Sequence, residues 1–469
     1  MKKKEIIIIL LLILLVIILR IPSLFEPYWY GDEGITLTVG QTIRNGGILY
    51  KDIADNKTPL LYFLTSIFYT LPLLRLLLFF WVIGLVVVFY HFGKEILKKE
   101  GVIPACLIFI PLTCLPLVEG NIANGEIFFL LPDTVGMLLA LLAIKRENNK
   151  LLIFSGFSFG LGFLFKIPAV FDLLPVIFYY WFYNKQPLKT TFLIMAGFLI
   201  PILLVTSYFI YNKALSDFWE YGFKWNFLYS SYKNTFILPY GGLIIKGLLA
   251  GIVLFSFCLL RKKLSKNLIL ILLWLFFAYL GGQISMRGYA HYMLPTMVPL
   301  ALLVGYLFTI KKIYFYLILM FSIVVLGIAN YGSIEYQKNY YLNFIQFIRG
   351  NKNEISYRNY FDPNTQRNYE VANYLNSTKK GKIFIWGDIP LVYALSQRQT
   401  VARFPAAYNI IFQKARQEET IRRLINNLPS HILIVEPQNY ILPGLDRIII
   451  KDYNLIQRIG DTKIYERKT

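Results

Sequence analysis

Cysteine, histidine and acidic residues are all scarce in this chain. Its 469 residues include three cysteines, three histidines, and 27 Asp and Glu against 48 Lys and Arg. Cys106, Cys114 and Cys258 fall within apolar segments. Small buried thiols are the ordinary reading there, and nothing points to a disulfide or a cysteine metal site. His91, His291 and His431 are far apart and lack metal-ligand spacing. No repeat period or low-complexity tract is present, which removes solenoids and arrays from consideration. The polar C-terminal third carries no Gly-rich nucleotide loop.

What is abundant is apolar sequence. The chain is 56% hydrophobic, with 34 Tyr and 38 Phe. Several apolar runs approach the roughly 20 residues that cross a bilayer. Tyr and Trp favour the headgroup zone, so part of the aromatic content reads as an interfacial belt. The net charge of +21 would suggest nucleic acid in a soluble chain. Here the cations stand in short runs between apolar segments: Lys2-Lys3-Lys4, Lys98-Lys99, Lys145-Arg146, Arg261-Lys262-Lys263 and Lys311-Lys312. That is the positive-inside pattern of a multi-pass cell-membrane protein, with a lipid bilayer as partner and no nucleic acid.

Threading the basic runs to the cytoplasm gives about eleven transmembrane helices. The first, at about 5–22, starts basic and apolar like a signal peptide. Arg20-Ile21-Pro22 replaces a small-residue cleavage site, so the segment reads as an uncleaved span. An outer loop at 23–72 follows, then spans at about 73–93, 102–119, 126–144, 150–165, 168–183 and 190–211. Another outer loop covers 212–238. Span eight ends at Arg261-Lys262-Lys263, span nine covers about 267–282, and span ten ends at Lys311-Lys312. Span eleven, about 313–331, places the remainder outside. Pro59 to Pro72 is apolar but short, and reads as an interfacial helix. Residues 34–45 look similar, with Ile35, Val39 and Ile43 on one helical face.

Composition turns polar after about Tyr331. Residues 1–332 form a transmembrane module and 333–469 an extracytoplasmic α/β domain. Helical patterns occur near 367–377 and 411–427. Strand-like runs occur at Lys382–Trp386, His431–Val435, Arg447–Lys451 and Lys463–Tyr465.

Chemistry concentrates in the first outer loop. Asp32-Glu33 lies about ten residues beyond the first span, and Lys57 precedes Thr58-Pro59-Leu60. Adjacent carboxylates raise each other's proton affinity, which suits a base. Cations beside them suit a lipid phosphate. Asp32 is the base candidate; Glu33 could orient it, bind a sugar hydroxyl or ligate a metal. A solvated loop with Asp32 capping the following helix is the competing reading. Arg20, Lys57 and Lys166 are the phosphate candidates, against snorkelling to headgroups. Glu119 and Glu126 bracket the turn Gly120–Gly125 and could bind sugar hydroxyls or a divalent ion, or form an ordinary polar turn. Asp133 and Asp172 lie deeper in apolar runs, as structural partners for Lys or backbone groups. Arg287, His291 and Tyr292 stand at the mouth of span ten, to hold phosphate or acceptor or to anchor an aromatic belt.

Several motifs recur in a definite order. They are Arg20, Asp32-Glu33, Gly47-Ile48-Leu49-Tyr50-Lys51-Asp52 and Lys57-Thr58-Pro59-Leu60-Leu61-Tyr62. Then come Asn124-Gly125-Glu126-Ile127-Phe128, Gly160 to Lys166, and His291-Tyr292-Met293-Leu294-Pro295 with Pro299-Leu300. Over about residues 15–310 the chain resembles the membrane glycosyltransferases of the C superfamily. It is most similar to the branch of protein O-mannosyltransferases and bacterial aminoarabinose transferases. The resemblance implies an inverting transferase using a polyprenyl-phosphate-linked sugar donor, with a glycan, lipid or protein acceptor. It implies an extracytoplasmic active site beneath a first loop with two interfacial helices. It also implies Asp32 as the catalytic carboxylate and Lys57 as a lipid-phosphate ligand. Thr58 departs from the family's usual Pro, which puts the local backbone in question. Whether Glu33 or Glu126 shares the base role stays open. No cofactor is implied with certainty; some relatives need a divalent metal and others do not. The rivals are a lipid-linked sugar flippase, which calls for polar residues near the bilayer midplane, and a scaffold protein.

Overall fold

The structure is a computed structural model that describes residues 3–227, 243–285, 287–310, 331–438 and 440–468. The expected eleventh span, apart from Tyr331, and Lys311-Lys312 lie outside the described residues, as do Met286 and residues 228–238 of the expected second outer loop.

In chain order the first helices are α1 (Lys3–Arg20), α2 (Gly31–Arg44), α3 (Leu60–Ile67), α4 (Leu71–Ile96) and α5 (Lys99–Cys114). Then come α6 (Gly125–Arg146), α7 (Asn149–Phe165), α8 (Val170–Tyr183), α9 (Pro187–Tyr211) and α10 (Leu215–Trp219). Next are α11 (Leu243–Leu260), α12 (Lys266–Gln283), α13 (Leu294–Phe308), α14 (Tyr331–Ile348), α15 (Glu354–Asn359) and α16 (Thr365–Ser377). The last four helices are α17 (Leu391–Ser396), α18 (Ala407–Ile411), α19 (Lys414–Asn426) and α20 (Leu445–Asp452). Four strands, β1 (Ile383–Trp386), β2 (His431–Val435), β3 (Tyr453–Ile459) and β4 (Thr462–Arg467), complete the described elements.

Six helical segments among the described residues are long and apolar enough to cross a membrane: Lys3–Leu24, Leu71–Ile96, Gly125–Arg146, Pro187–Tyr211, Lys266–Gln283 and Ala290–Phe308. Shorter apolar helices occupy Asn149–Phe165, Ile167–Tyr183 and Ile245–Leu260. The chain is a multi-pass membrane protein with a mixed β-sheet toward its C-terminus. Polar side chains begin several of the helices. Asn148 accepts the Lys150 amide at 2.9 Å and Ser265 accepts that of Leu268 at 3.2 Å, satisfying donors a helix start leaves open. Leu10, Leu11, Leu14 and Ile18 on α1 and Leu203 and Leu204 on α9 are exposed. An apolar face of that extent suits lipid and not water.

The chain divides into two compact units. One comprises residues 1–24, 76–208 and 224–341. Here α6 packs on α7, α5 on α13, and α12 on both α8 and α13. Phe257, Ile269, Leu273 and Phe277 form one of its buried clusters.

The other unit comprises residues 25–75, 209–223 and 342–469. The loop after the first span thus folds together with the C-terminal segment. Its sheet has the order β1-β2-β4-β3, with β1 and β2 parallel and the other pairs antiparallel. Val371, Leu375, Ile383, Ile385, Val392, Tyr393, Leu433 and Ile464 build its core.

Strands expected at Lys382–Trp386, His431–Val435 and Lys463–Tyr465 are present within a residue or two. The strand expected at Arg447–Lys451 is instead helix α20. Leu445, Ile448 and Ile449 are buried while Ile450 is 77% exposed. An i, i+3, i+4 burial pattern is helical, and it overrides the β-preference of three consecutive isoleucines. The strand β3 follows directly. The helix expected within Pro59–Pro72 forms only over α3, and α4 begins at Leu71.

Candidate active site

Helix α2 sets the position of Asp32. Asn45 ends it, its amide bonding back to the Gln41 and Ile43 carbonyls. Its start is Tyr30, and no side chain caps it, so Asp32 is not consumed as a helix cap. The helix is gripped on two sides. At Gly40 a methyl group would collide with the backbone of Thr65 on α3. At Gly34 a Cβ would lie 2.8 Å from the Leu391 amide of α17. Only hydrogen at those positions permits such approach. Residues Glu33 through Thr42 are consequently buried, while Asp32 in the first turn keeps 36% of its side chain exposed.

Lys57 arrives on the loop between α2 and α3. Tyr50 has a positive φ of 66°, a costly conformation for a bulky residue that surrounding contacts must enforce. Its phenol donates to the Lys57 carbonyl at 2.6 Å. Its ring packs on Phe209 and Phe218, and its carbonyl accepts from Arg403 at 3.0 Å. The Lys57 amide donates to the Tyr62 oxygen at 3.2 Å, and the Tyr62 hydroxyl donates to Asp55 at 2.7 Å.

The Lys57 ammonium is thereby held 3.2 Å from Asp32 Oδ2 and 3.4 Å from Asp55 Oδ2. Burial of Lys57 disfavours its charge, but Asp32 and Asp55 more than offset that and raise its pKa above the ordinary 10.5. It stays an ammonium at neutral pH and cannot act as the base. Burial, with Asp55 beside it, pushes the Tyr62 phenol well above its usual range, so Tyr62 is a neutral donor.

Glu33 faces elsewhere. Successive helical residues do not share a face, and both Glu33 oxygens engage Arg75 of α4, at 3.1 and 2.6 Å. Arg75 also pairs with Glu26 at 2.8 Å, and Glu26 accepts the Trp29 indole N–H at 2.9 Å. Side chains of all three charged residues are at most 1% exposed.

The C-terminal segment reaches the same loop. Asn409 Nδ2 donates to Asp55 at 3.4 Å. Arg403 bonds Asp217 and Glu419 at 2.7 and 2.8 Å, and its carbonyl accepts the Ala54 amide at 2.7 Å. Arg423 donates to the carbonyls of Lys51 and Asp52 at 3.1 and 3.2 Å.

The remaining candidates belong to the other unit. Arg20 is fully buried and donates to the Gly120 carbonyl at 2.7 Å, holding the turn between Glu119 and Glu126. Glu119 has a φ of 56° in that turn. Lys166 interrupts the α7–α8 connection in an extended conformation. It pairs with Glu126, and its ammonium lies 4.7 Å from the Tyr292 ring centroid. His291 Nδ1 is 2.6 Å from Glu119, and its Nε2 is 4.0 Å from Glu126. Glu119, Glu126, Lys166, His291 and Tyr292 therefore converge from three separate stretches of chain. Arg287 is half-buried in the segment after α12. Asp133 and Asp172 are buried within α6 and α8, and the Trp274 indole donates to Asp172 at 3.0 Å. Among the described residues no three His, Cys, Asp or Glu side chains cluster as a metal-ligand set.

Asp55, Glu26, Arg75, Arg403 and Asn409 were not singled out from sequence. Arg75 had a signal, since a cation inside an apolar run must find a partner. Glu26, Asp55 and Arg403 sit in loops and Asn409 in the short helix α18, and they gave none.

No family model matches the chain, and no curated protein does. Solved structures do. The crystal structure of ArnT from Cupriavidus metallidurans bound to undecaprenyl phosphate matches with a TM-score of 0.60 at 11% identity, covering 99% of this chain and 98% of that one. The apo oligosaccharyltransferase of Archaeoglobus fulgidus matches with a TM-score of 0.51 at 11% identity, covering 92% of this chain and 70% of that one. The chain shares the overall fold of these two membrane proteins.

Proposed function

We propose that this protein is an inverting glycosyltransferase that moves a sugar from a polyprenyl-phosphate donor to a nucleophile on a glycan, lipid or protein acceptor, at the extracytoplasmic face. The observation that carries this reading is the partly exposed Asp32 carboxylate 3.2 Å from the buried Lys57 ammonium. The fold shared with ArnT over nearly the whole of both chains supports it.

The acceptor O–H or N–H attacks the anomeric carbon, and the carbon–oxygen bond to the lipid phosphate breaks. Asp32 takes the acceptor's proton. The phosphate leaves with the bonding pair, and Lys57 meets its charge. An oxocarbenium-like transition state is expected, as in other glycosyl transfers. Proton removal and charge neutralisation are thus assigned to two neighbouring groups of one ion pair. Glu33 is a positioning residue, anchored through Arg75, that fixes the first turn of α2. Donor-phosphate roles for Arg20, Lys166 and Arg287 and substrate roles for Glu126, His291 and Tyr292 are proposed from the sequence, and no step above is routed through them; Arg20 is buried against the Gly120 carbonyl.

The test is to reconstitute the purified chain in proteoliposomes with a panel of radiolabelled polyprenyl-phosphate sugars. Label should leave the lipid for a second molecule or for water. Label that instead only crosses the bilayer while still attached to its lipid identifies a flippase and overturns the reading.

A further inference from the structure

The unit that holds Asp32 and Lys57 also contains two adjoining clefts that the transfer chemistry does not use. One has a volume of about 710 Å³ and the other about 460 Å³. Each falls within the roughly 300–1,000 Å³ typical of ligand sites. Asn45, Lys382 and Gln399 line both, so the two form one continuous trough.

The lining has a distinct chemistry. Asn376, Lys380 and Gln397 join the larger cleft, and Asn426 and Asn427 the smaller. Six carboxamides therefore face the trough, and among the described residues none of their side chains makes a hydrogen bond. Lys380 and Lys382 are exposed and make no ion pair among the described residues. The acid in the lining, Asp52, accepts the Ile48 amide at 2.8 Å. Leu395 is the sole large apolar residue of the larger cleft, and no aromatic ring lines either one. A polyprenyl tail has nothing to bury against here.

The walls are tied by hydrogen bonds, whereas the carboxamides and lysines make none with their side chains among the described residues. Arg398 lines the trough but spends its guanidinium on the Lys379 and Gly381 carbonyls, at 2.8 and 3.2 Å. Arg423 is likewise committed to Glu419, at 2.9 Å. The backbone of Lys382 is pinned by the Ser430 amide at 2.8 Å. Gln397 occupies the left-handed position after α17, with φ of 51°, where helices usually place glycine. A long carboxamide stands there instead.

A carboxamide offers paired donors and acceptors, which match hydroxyls that both give and take hydrogen bonds. Lysine ammonium groups match carboxylate or phosphate charges as point contacts. We infer that the trough is a docking subsite for an acidic glycan, a polyhydroxylated chain bearing carboxylate or phosphate groups, which serves as acceptor. The acceptor role rests on the transferase reading above; the binding itself does not.

The experiment titrates the full-length protein in lipid nanodiscs with hexagalacturonate by calorimetry. Maltohexaose, polyglutamate and inorganic phosphate are the comparison ligands. Hexagalacturonate should bind with a salt-dependent affinity, and the neutral hexamer at least about tenfold more weakly, as loss of charge-assisted bonds requires. The double variant Lys380→Glu/Lys382→Glu should lose binding by a similar factor, and Asn45→Ala/Gln399→Ala by a smaller one. Lys380, Lys382 and Asn45 are exposed and Gln399 is half-buried, and unchanged melting will show that the variants fold. Asp32→Asn should bind the hexamer like wild type, which separates this subsite from the reaction. Four results overturn the inference: no binding to wild type, binding unchanged in the lysine variant, equal binding of polyglutamate, or equal binding of free phosphate. Radiolabel transfer that persists in the lysine variant with a small alcohol acceptor would leave the transferase reading standing in each case.

Discussion

The ammonium of Lys57 stands 3.2 Å from the carboxylate of Asp32, although one comes from a loop and the other from the first turn of a helix. A cation and a candidate base are thus delivered together, with the base still partly open to a substrate. Asp32→Asn keeps the side chain's size and its place on α2 but cannot take a proton. Transfer should fall by about 10²–10⁴-fold, with donor lipid binding retained. Radiolabel transfer in proteoliposomes measures the first and lipid co-purification the second. Near-normal turnover would falsify the base assignment.

Lys57 also predicts a stability profile. Its folded pKa is raised because Asp32 and Asp55 outweigh the cost of burial. A raised cation contributes its full stability at every pH below the unfolded value of 10.5 and loses it only as pH climbs toward the folded value. The stability gap between wild type and Lys57→Met should therefore be flat from about pH 6 to 9 and narrow only in strong alkali. Denaturant melts at several pH values read this directly. A gap that closes near neutrality contradicts the geometry.

Arg75 is the shared cation of Glu26 and Glu33, and all three are buried. Arg75→Met should destabilise the protein by about 3–5 kcal/mol, because two carboxylates lose that cation in a dry site. Arg75→Lys should recover part of this, since one ammonium cannot span the fork that the guanidinium fills. Thermal melts in detergent rank the three proteins; equal melting of Met and wild type would refute the anchoring role of Arg75.

Arg403 ties the C-terminal segment to the loop carrying Lys57 through the Tyr50 carbonyl. Arg403→Ala removes bonds to that carbonyl, Asp217 and Glu419. Each charged hydrogen bond is worth about 1.5–3 kcal/mol. The 49–59 loop should become sensitive to protease, and KM for the donor should rise more than kcat falls. Protection of the loop at wild-type level would show that the tether is dispensable.

Hydropathy and charge are local properties, and whatever depends on them was legible in the chain itself. The spans near 126–144 and 190–211 and the helix over 34–45 appeared close to where they were expected. Asp32, Glu33 and Lys57 stood out as charges beside an apolar run. Which charge meets which is not local. Asp32 and Glu33 are adjacent in sequence, yet a helix turns them to different partners, Lys57 for one and Arg75 for the other. Asp55 and Asn409 acquire meaning only once the loop and the C-terminal segment pack into one unit. The isoleucine run at 448–450 had the composition of a strand, and burial of one helical face decided otherwise. Sequence thus settled what each segment prefers in water or lipid. Tertiary structure settled the ion pairs, because their energies depend on distances that no stretch of chain specifies alone.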